Sequence, residues 1–353
     1  MTTRELAIAR SVVYASLFDY PLTLEQLHHT LIESEQTRAE ILAVYDGSAL
    51  LQRIIEYREG LFFPAGRGDV VAERRRREAR SRVLLQDHAR LLRLVCALPF
   101  TRLVALSGGL AYLNPETEEE IDLFIVTKGR RVWMVTVAVL LLATLHHRRD
   151  RVLATVVLAD THLAIEQQDL FTANQIVHLK TLIGEALLDA VVAANPFVTR
   201  CFPNGFARRR QPASEPVVGR RGRACAGIKA LAELVLYAPS PLIEAACRHF
   251  YAWRVRRRTA SWRSRDQARL QHDDSTIRTE EHRHSVLDRF DVAVEEALER
   301  AANATEPRAL AKAKKLAADE ARCLVHVAGT FVVRDLGKRA QRARAIDRAI
   351  GGM

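Results

Sequence analysis

Two carboxylates and a turn of small residues lie near each other in the middle of the chain. Glu120 and Asp122 stand two positions apart in the segment EIDLFIVT, and Ser107-Gly108-Gly109 ends the apolar segment LVALSGG shortly before it. Side chains two positions apart in a strand project from the same face, so both carboxylates would converge. Paired carboxylates repel unless a cation neutralises them, and Mg²⁺ suits sparse carboxylate sites that phosphates complete. The pattern predicts a magnesium site at one end of a sheet.

The order of these residues resembles the signature of the nucleotidyltransferase superfamily related to DNA polymerase β. In that family, small residues after the first strand let the backbone approach a nucleoside triphosphate. The carboxylates hold two metal ions, which activate the attacking hydroxyl and stabilise the leaving pyrophosphate. The resemblance implies these roles for Gly108, Gly109, Glu120 and Asp122, with Mg²⁺ or Mn²⁺ as the metal.

Further candidate ligands lie around this motif. Ser107 and Lys128 are candidates for contacts with phosphate oxygens, and the alternatives are a helix cap and a solvated turn residue, respectively. The family's third carboxylate usually lies on a later strand, but the strand predicted over residues 152–158 contains no acid. Asp160 and Glu166 are the nearest candidates for this metal ligand, and the alternative for both is a solvated loop position.

The pattern of elements predicts an α/β (α+β) protein of several units. Three helices and a terminal hairpin at the N-terminus have the outline of a winged helix, and the phrase LFDYPLTLEQL resembles the opening of winged-helix units before some bacterial nucleotidyltransferase domains. One helix is predicted from Asp169 to Ile183, and the last unit is predicted to be all helical, over 225–258, 264–302 and 307–350. The predicted units are a winged-helix-like domain (1–70), a linker helix (71–98), a nucleotidyltransferase-like domain with a small mixed sheet (99–205), a basic linker (206–224) and a helical C-terminal region (225–353).

The charge of the chain favours anionic partners. Its 53 Lys and Arg residues exceed its 42 Asp and Glu residues, for a net charge of +11, which suits nucleotides, nucleic acid or a membrane surface. The arginines between Arg74 and Arg82 form either a solvated helical face or a phosphate contact. Tyr251, Trp253 and Trp262 lie among arginines, so they form either part of a core or a surface that stacks nucleic-acid bases.

Composition also bears on the compartment. Five cysteines without a CxxC pair favour reduced thiols, and charged residues interrupt the first apolar stretch, so we expect a cytoplasmic protein without a secretory signal. The apolar run from Val132 to Leu145 is too short to cross a bilayer, and we expect a buried helix there and no membrane span.

These observations support two hypotheses about function. The first is metal-dependent transfer of a nucleoside monophosphate from a nucleoside triphosphate to an unknown acceptor. The second is a catalytically inactive nucleotidyltransferase-like protein that acts as a nucleic-acid-binding or scaffold protein. Glu120 in place of the family's usual Asp, Gly109 in place of its Ser, and the acid-free strand favour the second.

Overall fold

Within the residues that the structure describes, the chain folds into helices and two β-sheets, which confirms the predicted mixed α/β class. The computed structural model describes residues 1–115, 120–148, 152–206, 223–259, 269–270, 274–276 and 280–302. The helices are α1 (Thr3–Ser16), α2 (Leu24–His29), α3 (Arg38–Gly47), α4 (Ala49–Ile54), α5 (Asp69–Asp87), α6 (Ala89–Ala97), α7 (Gly108–Ala111), α8 (Val132–Leu145), α9 (Leu170–Val177), α10 (Glu185–Ala193), α11 (Pro196–Cys201), α12 (Arg223–Tyr237), α13 (Ser240–Thr259) and α14 (Glu280–Ala302). The strands are β1 (Leu22–Thr23), β2 (Ile55–Arg58), β3 (Leu61–Pro64), β4 (Thr101–Ser107), β5 (Ile121–Thr127), β6 (Val152–Ala159), β7 (Lys180–Ile183), β8 (Arg269–Leu270) and β9 (Asp274–Thr276).

The N-terminal unit combines helices α1 to α4 with a three-stranded antiparallel sheet of order β1-β3-β2. Three of its helices begin at a capping box, in which the threonine hydroxyl and the side chain three residues later each bind the other's backbone amide. The capping threonines are Thr2, Thr23 and Thr37. These caps satisfy amide groups that would otherwise lack partners, so the start of each helix is specified locally.

The larger sheet has six strands in the order β7-β4-β5-β6-β9-β8. Strands β4 and β5 are antiparallel, whereas β5 and β6 are parallel and are connected through helix α8. A parallel pair requires such a crossover, and the apolar segment from Val132 to Leu145 provides it as a largely buried helix. The sheet is therefore mixed, as predicted for this part of the chain.

Each face of this sheet belongs to a different hydrophobic core. Ala105 of β4 and Phe124 of β5 pack into a core that also contains α1, α9 and α11, whereas Leu106 and Leu123 pack with α6 and α8. This division follows from the alternation of side chains along a strand. The first core continues into the N-terminal unit, where it includes side chains of α2, α3 and α4.

Two predicted helices differ from the structure. The helix predicted from Asp169 to Ile183 ends at Val177, and Lys180–Ile183 form β7 instead, because the edge of β4 offers hydrogen-bonding partners to this short segment. Within the helix predicted over 264–302, Glu280–Ala302 form α14, whereas Arg269–Leu270 and Asp274–Thr276 form the strands β8 and β9, which extend the sheet beside β6. The helix predicted over 307–350 lies outside the described residues.

Candidate functional site

Ser107 and Asp122 lie side by side at one end of the larger sheet. They are direct partners in the antiparallel pairing of β4 with β5. Directly opposite residues of an antiparallel pair project from the same face, with their Cβ atoms about 5 Å apart. The turn of small residues and Asp122, which belong to one sequence motif, are therefore neighbours in space.

Thr155 lies on the same face, next to Asp122. In β6, Ala154 pairs with Leu123 and Val156 pairs with Phe124, so Thr155 is the extra residue of a bulge. Its hydroxyl donates a hydrogen bond of 2.7 Å to Oδ1 of Asp122. Strand β6, which contains no acidic residue, thus presents a threonine at the position where a third carboxylate would face Asp122.

Gln175 of α9 completes the site from the other side of the turn. Its Oε1 accepts hydrogen bonds from Oγ of Ser107, at 3.3 Å, and from the backbone N–H of Gly108, at 3.1 Å. Two donors thus converge on a single oxygen atom, which is the arrangement that stabilises an anionic oxygen when one is bound. Ser107 occupies the N-cap position of α7, but its side chain makes no capping bond.

The two glycines of the turn have separate structural reasons. Gly108 has a φ of +64°, a conformation that side chains with a Cβ rarely adopt. A Cβ on Gly109 would lie 2.6 Å from the carbonyl oxygen of Asn114 and 2.7 Å from Cα of Pro115. The space beside Gly109 is therefore filled by the chain's own backbone.

Glu120 directly precedes β5, and its side chain is exposed, whereas Asp122 is half-buried. If the extended conformation of β5 continues through Glu120, both side chains project from one face. Mg²⁺ is commonly held by one or two carboxylates together with phosphate oxygens and water. The two carboxylates fit that donor set better than an enclosed site made only of protein ligands.

Asp160 and Lys128, which the sequence offered as candidates for contacts with the metal and with phosphates, lie at the opposite end of the sheet. Both follow the paired residues Thr127 and Ala159, roughly 17 Å along β5 from Asp122. Asp160 forms an ion pair of 2.7 Å with Arg102 and accepts the backbone N–H of Gly129. Lys128 lies 3.4 Å from the carboxylate of Glu233. Asp160 therefore lies too far from Asp122 to share a metal ion with it. Lys128 likewise lies too far away to contact phosphates bound at such a metal.

A small cavity lies between the N-terminal unit and α9. Tyr20, Tyr112, Asn174 and His178 are among its lining residues, and about 20 Å³ is open to the centre of a water molecule. This volume suffices for one ordered water, not for a nucleotide base. Burial lowers the pKa of His178, which favours its neutral form.

Sequence reasoning missed Thr155 and Gln175. A single polar residue within the apolar segment VLATVVLA was the only local signal for Thr155, and no local signal distinguished Gln175 within its helix. Among the residues that the structure describes, no group of three or more His, Cys, Asp or Glu side chains could hold a metal ion. Comparison of the chain with protein-family models, curated proteins and solved structures gave no match.

Proposed function

We propose that the protein is a metal-dependent nucleotidyltransferase that moves a nucleoside monophosphate from a nucleoside triphosphate to an unknown acceptor. The observation that carries this proposal is the pair of donors, Oγ of Ser107 and the N–H of Gly108, that converge on one oxygen beside Asp122. In the proposed complex, a phosphate oxygen takes the place of Oε1 of Gln175 and accepts both hydrogen bonds.

Glu120 and Asp122 would hold Mg²⁺ or Mn²⁺ in this complex. When bound, the ion supplies a positive charge that stabilises the leaving pyrophosphate and lowers the pKa of the acceptor hydroxyl. Thr155 orients Asp122 by donating to Oδ1, which leaves the carboxylate in one rotamer. Ser107 and Gly108 orient the phosphate, so the chain's own contribution is mainly positioning and electrostatic stabilisation.

The proposal makes a direct prediction for nucleotide binding. ATP, GTP, CTP and UTP are titrated calorimetrically, each with Mg²⁺, into the wild type and into the Asp122→Asn and Asp160→Asn variants. We expect metal-dependent binding that weakens about tenfold or more in Asp122→Asn, because one metal-binding charge is lost. Asp160→Asn removes an equivalent charge at the opposite end of the sheet, so its binding should match the wild type.

A second measurement tests transfer itself. The wild type is incubated with Mg²⁺ or Mn²⁺ and each α-labelled nucleoside triphosphate, together with candidate protein and RNA acceptors, and both the labelling of the acceptor and the release of pyrophosphate are followed. Release that Asp122→Asn abolishes supports the proposal. If none of the four nucleoside triphosphates binds, the proposed function is wrong.

The second candidate is a catalytically inactive protein of the same fold, which serves as a scaffold. Thr155 favours it, because a threonine stands where a third carboxylate would face Asp122. Nucleic-acid binding through α5 gains no support, since its arginines are engaged in ion pairs with Glu59, Glu73 and Glu78. Nucleotide binding without pyrophosphate release would favour this candidate over the first.

A further inference from the structure

Helix α12 carries large apolar side chains on its outer surface. Ile228, Leu231, Leu234 and Val235 follow a spacing of three and four residues, which places them on one side of a helix. Their exposed fractions are 69%, 62%, 74% and 66%, respectively. A continuous apolar stripe of this kind marks an interaction surface, unlike scattered single residues.

The polar side of α12 faces the protein instead. Nζ of Lys229 donates to Oγ1 of Thr101 at 2.7 Å, and the carboxylate of Glu233 accepts the backbone N–H of Phe100 at 2.9 Å. Rotating the helix to bury its apolar stripe would break both contacts. The outward direction of the stripe is therefore maintained by specific bonds on the opposite side of the helix.

Helix α13 repeats this arrangement after a short break. The carboxylate of Glu244 is buried and accepts the backbone N–H groups of Trp133 and Met134, at 2.9 and 2.8 Å. On the outside, Leu242 is 79% exposed and Trp253 is 49% exposed. Both helices thus attach to the domain through acidic side chains that accept backbone N–H groups, and both direct apolar side chains to the solvent.

Positive charge flanks α12 and α13 in the sequence. Residues 207–222, which precede α12, contain five arginines and a single acidic residue, Glu215. At the end of α13, the guanidinium of Arg257 lies over the ring of Trp253, 4.3 Å from its centroid, within the sequence RVRRR. Aliphatic and aromatic side chains bordered by arginines are typical of helices that lie in the interface of an anionic membrane.

We propose that α12 and α13 form a docking surface for the headgroup region of an anionic lipid bilayer. No single helix among the described residues is long and apolar enough to cross a membrane, and only Gly227–Tyr237 and Ser240–Arg254 together, bent by 87°, reach the necessary length and hydropathy. That bend suits helices that lie along the surface of a bilayer. The apolar side chains enter the boundary between headgroups and acyl chains, and the arginines bind the lipid phosphates.

The charge pattern favours a bilayer over the two other occupants. A second copy of the chain would bring the exposed arginines of α13, such as Arg257, close to their own counterparts, which is unfavourable for like charges. A nucleic acid would bind the arginines and the aromatic rings, but it would leave the aliphatic stripe of α12 in water. An anionic bilayer offers an apolar layer to the stripe and phosphate groups to the arginines.

Co-sedimentation of the full chain with vesicles tests this proposal. The vesicles consist of phosphatidylcholine alone or of phosphatidylcholine mixed with phosphatidylglycerol. We expect binding to the mixed vesicles that weakens about tenfold or more in the double variant Leu231→Glu with Leu234→Glu, and also in Leu242→Glu on the other helix. The matched control is Val83→Glu on α5, where an apolar residue that is 56% exposed lies outside the surface and the change should leave binding intact.

The same samples are examined by thermal unfolding and light scattering. The substituted side chains are exposed, so the variants should unfold at the temperature of the wild type. The proposal is wrong if the wild type binds neither kind of vesicle, or if the variants of α12 and α13 bind as well as Val83→Glu. A dimer that dissociates in these variants and does not bind vesicles would assign the surface to a second copy instead.

Discussion

Asp122 receives its orientation from a residue on a different strand. The hydrogen bond from Thr155 uses one of its carboxylate oxygens, and it connects residues that are far apart in the chain. The two proposed functions differ at this pair, because Asp122 would hold the metal and Thr155 stands where a third carboxylate would face it.

Replacing Thr155 with Asp would supply the third carboxylate that the strand lacks. We expect Mn²⁺ affinity to increase about tenfold or more, because three carboxylates would then face one ion. Without metal, the added negative charge beside Asp122 should lower the melting temperature. Titration of Mn²⁺ by electron paramagnetic resonance, together with melting curves in EDTA and in Mn²⁺, measures both effects.

Thr155→Val is the matched control, since valine keeps the shape of threonine and removes only the hydroxyl. It should not raise the Mn²⁺ affinity. Equal Mn²⁺ affinities for the wild type and Thr155→Asp would show that the position does not face a metal site.

At the scale of elements, helix α9 and the turn after β4 position the site together. Asp169 caps α9 by accepting the backbone N–H of Thr172 at 2.8 Å, and its carboxylate also forms an ion pair with Arg283 of α14. The position of Gln175 against Ser107 therefore depends on contacts with the C-terminal part of the chain. The turn itself depends on Gly109, which lies against the backbone of residues 114 and 115.

Substitution of Gly109 by Ala tests this close approach. A Cβ would lie 2.6 Å from the carbonyl oxygen of Asn114, so the turn must shift, and we expect a loss of about 1 to 3 kcal/mol in the free energy of unfolding. Gly47→Ala is the control, because nothing lies within 4 Å of the Cβ that alanine would add at that position. Urea denaturation should show no loss for Gly47→Ala, and an equally stable Gly109→Ala would contradict the structure of the turn.

At the scale of the whole molecule, α5 attaches the N-terminal unit to the rest of the protein. Arg74 is 7% exposed, and its guanidinium binds Glu78, the backbone oxygen of Pro21 and the side chain of Gln26. It also lies 4.7 Å from the ring centroid of Tyr20. A buried guanidinium that has several partners stabilises a specific arrangement, and the same partners are left unsatisfied when it is removed.

Replacing Arg74 with Met should therefore be strongly destabilising. We expect the free energy of unfolding to fall by about 2 to 4 kcal/mol, because Glu78 and the oxygen of Pro21 lose their partner. Arg76→Met on the same helix is the control. Its side chain is 69% exposed and pairs only at the surface with Glu73, so the expected change is within about 0.5 kcal/mol. Equal effects in urea denaturation would refute the attachment through Arg74.

The sequence by itself determined the features that depend on neighbouring residues. Capping threonines such as Thr23, the apolar strands β4, β5 and β6, the helix from Val132 to Leu145 and the turn of small residues all follow from local patterns. Such patterns specify elements because their hydrogen bonds and side-chain alternation involve residues close in the chain.

Only the tertiary structure decided which residues meet. It brought Thr155 next to Asp122 and Gln175 next to Ser107. It also placed Asp160 at the opposite end of the larger sheet. It also made residues 180–183 a strand, because the edge of β4 provides their hydrogen bonds. These outcomes depend on strand order, register and a bulge, which arise from contacts between distant segments and leave little local signal.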